Sequence, residues 1–166
     1  MTTSRTPVRV LIRERGTVQF DQMVGQLGNR VERAAAILPQ SASDEALFSI
    51  SGGRIMLTAI IGEVTVVIET QANDTKLKFN PTAVGADQDL CGVLNITADA
   101  VGEIYTITGI VANAMRSDLL IGQAMTNHLI LSEGDIEIDC AANNTGEVAW
   151  TLFYYPIDDD AIVEAA

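Results

Sequence analysis

From Ala46 onward, apolar side chains recur at every second position in short runs punctuated by Gly, Asn and Asp, a pattern that restricts the fold more than any other property of the chain. Period two sends alternate side chains to opposite faces of an extended strand, so each run reads as a strand with one buried face. In GDIEIDC, Ile136, Ile138 and Cys140 are expected toward the core and Asp135, Glu137 and Asp139 toward water. GEVAWTLFYYP places Val148, Trp150, Leu152 and Tyr154 on one face and Glu147, Thr151, Phe153 and Tyr155 largely on the other. Both faces are apolar enough for a central strand whose aromatics serve the core on one side and a subunit contact on the other. Leu129–Leu131 followed by Ser132-Glu133-Gly134 reads as the first arm and turn of a hairpin. Asn143, Asn144 and Gly146 supply the turn after GDIEIDC.

The run Arg54 to Thr70 changes phase: Ile55, Leu57, Ala59 and Ile61 are odd-numbered, whereas Val64, Val66 and Ile68 are even-numbered. A one-residue slip exchanges the two faces, so a bulge or bend is expected at Gly62. Strands are predicted over 46–51, 54–61, 63–70, 75–80 (with Lys76 and Lys78 outward), 92–97, 103–110, 128–131 with 135–140, and 146–156. Residues 111–127 read as a short helix or a long loop. The fold class is therefore mainly β: an antiparallel β-sandwich or jelly-roll-like barrel with an N-terminal extended arm and a short helix. With 166 residues and 48% apolar content the chain builds one core, and it has no uninterrupted apolar run long enough to span a membrane. The opening MTTSRTPVRV lacks the apolar region of a secretory signal, so Cys91 and Cys140 are expected as free, buried thiols.

Two units are expected: residues 1–40 as a basic arm and helical segment, and residues 41–166 as the body with an acidic C-terminal tail. In the arm, Val8, Val10 and Ile12 alternate with Arg9, Leu11 and Arg13, a strand-like pattern suited to a sheet edge. Phe20, Met23, Val24, Leu27, Val31, Ala35 and Leu38 then recur at three- and four-residue steps, predicting a helix from Phe20 to Leu38 that ends at Pro39. Polar residues 40–45 read as a hinge. Residues 1–40 hold six basic and three acidic side chains, a charge of +3, and the remaining 126 hold four basic against nineteen acidic, a charge of −15. Such a body repels polyanions, so nucleic acid is not an expected partner; nor is a membrane.

No catalytic constellation emerges, and the chain is read as a non-enzyme with no cofactor and no metal. The single histidine, His128, has no serine or cysteine motif beside it and is expected on a strand rim. Two cysteines and one histidine do not build a closed zinc site, and Asp158-Asp159-Asp160 lacks the glycine-defined loop of a calcium site and reads as a solvated terminus. Glu137 and Asp139 read as solubilising charge. Ser51-Gly52-Gly53-Arg54 reads as a tight turn, since no helix or lysine follows it as a phosphate loop requires.

Over residues 46–166, the stretch LFSISGGRIMLTAIIGEVTVVIETQAN, the LNITADAVGEIYTITG segment and GDIEIDCAANNTGEVAWTLFYYPIDDDAIVEAA, behind an Arg-containing leader, resemble small virion structural proteins of tailed bacteriophages, of the capsid decoration or cement type. The resemblance implies a homotrimer on the outer surface of the capsid, assembled in the host cytoplasm, that binds the major capsid protein and latches capsomers through its N-terminal arm. A head-fibre or receptor-binding module that adheres to glycans is the alternative it leaves open. Capsid- or subunit-contacting candidates are Arg5, Val8, Arg9, Val10, Leu11, Ile12, Arg13, Arg15, Phe20, Met23, Leu27 and Arg30.

Overall fold

The computed structural model describes residues 27–40 and 43–166, and within them the alternating runs form twelve strands. In chain order these are β1 (Asn29–Ile37), β2 (Ser43–Ser51), β3 (Ile55–Val66), β4 (Asp74–Pro81), β5 (Gln88–Asp89), β6 (Leu94–Asn95), β7 (Glu103–Thr106), β8 (Arg116–Leu119), β9 (Leu129–Leu131), β10 (Gly134–Cys140), β11 (Glu147–Pro156) and β12 (Ile162–Ala165). The first sheet has the order β1-β11-β3-β7-β8, with β9 also on β3; the second has the order β12-β2-β10-β4-β5, with β6 also on β4. Every strand pair is antiparallel. β1 pairs with β11, β2 with β10, β3 with β7 and β4 with β5, so that early strands fold back on late ones in nested pairs across two sheets. That wrapping is the jelly-roll form of a β-sandwich.

The core lies between the sheets. β11, central as its composition predicts, contributes Val148, Trp150, Leu152 and Tyr154, all buried, and they meet Phe48, Leu77, Ile136 and Ile138 from the second sheet in one apolar cluster. Each fully buried Leu, Ile or Phe in such a layer contributes roughly 1.5–3 kcal/mol. Both side openings are stitched. Gly92 N–H donates to the Asn113 carbonyl (2.7 Å) and Met115 N–H to the Gly92 carbonyl (2.9 Å) at one. Arg33 reaches Glu45 (2.5 Å) and the Ala166 carbonyl (3.4 Å) at the other.

Several local expectations are corrected. The helix predicted from Phe20 to Leu38 is a strand over its described part, β1, hydrogen-bonded to β11, so residues 29–40 belong to the sandwich rather than to an appendage. A bulge between Arg33 and Ala36 breaks its period: Val31 and Arg33, then Ala36 and Leu38, turn inward, and the extra residue makes the apolar spacing imitate a helix. The expected hinge at 40–45 overlaps β2, which begins at Ser43. The phase change in β3 does not sit at Gly62. Leu57 pairs with Tyr154 and Ala59 with Phe153, leaving Thr58 as the extra residue, after which Ile60 and Val64 take over the core face from Ile55 and Leu57. Gly62 instead lies under Trp150: a Cβ there would stand 2.8 Å from the indole ring.

The strand expected over 63–70 is the end of β3 and stops at Val66. Strands expected over 92–97 and 103–110 shorten to β6 and β7, and the 111–127 segment carries the four-residue β8 within loops. The expected 129–140 hairpin is absent, because β9 pairs with β3 in the first sheet while β10 joins β2 and β4 in the second; Ser132-Glu133 carries the chain across. The acidic tail is not a solvated terminus. Arg54 donates to Asp158 through its backbone N–H (2.7 Å), Nε (3.0 Å) and Nη2 (2.9 Å), and β12 then pairs with β2, burying Ala161 and Val163. Gly52 and Gly53, at φ +74° and +136°, form the tight turn that lets this loop approach, since a Cβ on Gly52 would stand 2.0 Å from the Asp160 carbonyl oxygen.

Candidate functional site

The two sheets present very different outer faces. On the second, alternation sends Lys76 and Lys78 of β4 outward beside Glu137 and Asp139 of β10, with Asp44 of β2 and the β5 region completing the group. Lys78 Nζ lies 2.5 Å from Asp44 and 3.0 Å from Asp87; Lys76 Nζ lies 2.7 Å from Asp89 and 3.8 Å from Asp139. Glu137, expected in water, is only 9% exposed and accepts from Asn80 Nδ2 (3.1 Å). Burial pulls the Lys78 pKa down, and its hydrogen bonds to Asp44 and Asp87 more than reverse this, so it stands above the ordinary lysine value. Asp139 is raised by burial and by the neighbouring Asp44. Oxygens of Asp44, Asp87 and Glu137 lie within 4.8 Å of one another, the one arrangement of carboxylates among the described residues able to hold a cation. Lys78 already bonds two of the three, so part of the cluster's charge is offset from within the chain.

The outer face of the first sheet carries an apolar patch, bordered by Glu63, Arg116 and Asp118. Because Tyr105 and Gly62 face inward, their neighbours Ile104, Thr106 and Ile61 face out, next to Ala59 and Phe153. Together with Leu27 and the 120–125 loop, they line a groove of about 410 Å³. Leu120, on its rim, adopts φ +62° and is held by its N–H donating to the Gly102 carbonyl (2.9 Å). A branched residue in the left-handed region costs about 1–2 kcal/mol, yet its side chain is 76% exposed, flanked by exposed Leu119 and Ile121.

Of the residues singled out from sequence, Arg5, Val8, Arg9, Val10, Leu11, Ile12, Arg13, Arg15, Phe20 and Met23 lie outside the described residues. Leu27 lines the groove, half-buried. Arg30 is exposed at the start of β1, paired with Glu32. Ile61, Ile104 and Ala124 were not foreseen as a site; the only sequence signal was the apolar triplet Leu119-Leu120-Ile121 in a segment without a clear period.

None of the remaining candidates lines the groove. His128 is exposed ahead of β9. Cys91 and Cys140 are free and buried, as expected; burial pushes the Cys91 thiol up to about 11 and raises that of Cys140. Tyr105 donates to Asp99 (2.7 Å), and burial raises both groups.

Comparison of the chain with models of known protein families, with curated proteins and with solved structures finds no match.

Proposed function

We propose that this protein is a non-enzymatic decoration or cement protein of a tailed-phage head, acting as a trimer that latches the outer shell through its N-terminal arm. The observation that carries this reading is where the cations are committed. Five of the six lysines and arginines among the described residues (Arg30, Arg33, Arg54, Lys76 and Lys78) are paired with carboxylates of the body. The sixth, Arg116, bonds Gln123. The other four basic residues, Arg5, Arg9, Arg13 and Arg15, all stand ahead of Leu27, interleaved with Val8, Val10, Leu11 and Ile12. A chain organised in this way has an acidic body that keeps its own cations and a short segment offering both charge and aliphatic surface.

The energetics assign the roles. Burial of the four aliphatics contributes roughly 1.5–3 kcal/mol each before ordering costs, whereas exposed ion pairs contribute about 0–1 kcal/mol and weaken with salt. The aliphatics hold and the arginines set register. In a trimer each further arm binds at high effective concentration, so modest contacts add to a durable clamp. Jelly rolls serve as viral capsid and as lectin domains alike, so the arm rather than the fold favours the shell over a glycan. Deleting residues 2–16 is expected to abolish binding to purified capsids while leaving a folded oligomer; full decoration by the truncated protein would overturn the reading.

A further inference from the structure

We propose that the groove on the outer face of the first sheet is the seat of the chain's own segment 20–24, with Phe20 and Met23 as the side chains that fill it. The proposal stands independently of the capsid reading.

The path of the chain is the first argument. Leu27, the first described residue, is already part of the groove wall, and its carbonyl accepts a hydrogen bond from Thr58 Oγ1 (2.5 Å) at the β3 bulge. Gly28 follows at φ +91°, where a Cβ would stand 2.2 Å from the Tyr154 carbonyl oxygen, so the backbone is pressed against β11 as it leaves this face. The described chain therefore begins at the groove itself. Phe20 is seven residues from Leu27, within roughly 25 Å even when fully extended.

The chemistry of the segment is the second. Between Thr17 and Asn29 the only charged residue is Asp21, whereas the sixteen residues before it hold four arginines. Phe20, Met23, Val24 and Leu27 recur at steps of three and four, the spacing that gathers side chains on one side of a helix. The groove offers the complementary surface: Ala59, Ile61, Ile104 and Ala124, with Thr106 as a polar member. Leu120 also lines it, its unfavourable backbone conformation holding an exposed aliphatic side chain there. On the second sheet the outer face is occupied by ion pairs and offers an apolar segment nothing comparable.

The tether is the third. A segment joined to the groove wall by fewer than seven residues competes at millimolar effective concentration, so the same segment of another copy is at a disadvantage at ordinary protein concentrations.

The test uses the full chain carrying Met23→Cys together with Ala124→Cys, each single variant serving as a control for the buried native thiols. Mild oxidation is expected to give an intramolecular disulfide: a monomer that migrates faster without reductant and no longer takes up maleimide at the two new positions. A covalent dimer would assign the groove to a second copy and overturn the proposal, as would two thiols that remain open to alkylation. In parallel, Met23→Asp is expected to raise thermolysin cleavage between residues 17 and 26 on the order of tenfold, the effect of losing one apolar anchor from a local docking equilibrium. An unchanged cleavage rate would also overturn it.

Discussion

The two outer faces of this sandwich are made by the same alternation and end up with opposite chemistry. On the second sheet, each outward lysine finds two carboxylates, and Lys78 bonds both Asp44 of β2 and Asp87 just ahead of β5. On the first, Ala59, Ile61, Ile104 and Phe153 form an apolar patch between charged borders such as Glu63, Arg116 and Asp118, with a groove beside Leu27. The two lysines of the charged face are already committed, so a partner docking there must break those pairs or bring cations of its own. An apolar face beside an open groove gains from being covered. The difference separates a face suited to solvent from one suited to docking.

The largest effect is expected from breaking the charged face at its centre. Lys78→Ala leaves Asp44, Asp87 and Glu137 facing one another, and because Asp44 and Asp87 are more than a third exposed a loss of roughly 2–3 kcal/mol in urea unfolding is expected. A loss under 1 kcal/mol would mean that the network is solvated and the two faces are less different than they look. The same lysine gives a pH signature. Its folded pKa lies above the ordinary value, so its contribution is complete below about 10.5 and is lost as pH rises through the higher folded value.

Next comes the layer that both faces share. Gly62→Ala drives a methyl group into the Trp150 ring, and a cost of about 1–3 kcal/mol is expected in the same assay. On the apolar side the expectation reverses. Leu120→Gly removes a large aliphatic side chain yet is expected to leave stability unchanged or to raise it by up to about 1 kcal/mol, because it releases the φ +62° conformation. A fall of more than 1 kcal/mol would make Leu120 a packing residue rather than a rim.

The smallest effect concerns the turn where the acidic tail docks. Arg54 holds the Asp158 carboxyl down at about 2, so this contact stabilises the fold above the ordinary carboxylate value near 3.8 and fades as pH falls toward 2. The difference in melting temperature between wild type and Arg54→Ala is expected to shrink across that interval. A gap that persists unchanged at pH 2 would show that the arginine acts through packing.

Local pattern settled what depends on immediate neighbours. Alternation in GDIEIDC and GEVAWTLFYYP was enough to assign the core residues of β10 and β11, the central place of β11 and the antiparallel sandwich, because the pleat of a strand sorts side chains without reference to distant residues. It failed where one extra residue breaks the pleat. The bulge in β1 made a strand look helical, and the bulge at Thr58 moved a phase change that the sequence appeared to mark with Gly62. It failed again where a partner is remote: Gly62 answers to Trp150, Ser132-Glu133 leads into another sheet, and Asp158 answers to Arg54 across 104 residues. The groove was illegible for the same reason, since Leu27, Ile61, Ile104 and Ala124 are brought together only by the nesting of β1, β3 and β7 and the loop after β8. The sequence by itself thus determined the charge split, the basic leader with its interleaved aliphatics and the strand class, all properties of residues and their near neighbours. Tertiary structure alone decided which outward face is closed by ion pairs and which is left open, because strand order, not strand composition, chooses each side chain's neighbours.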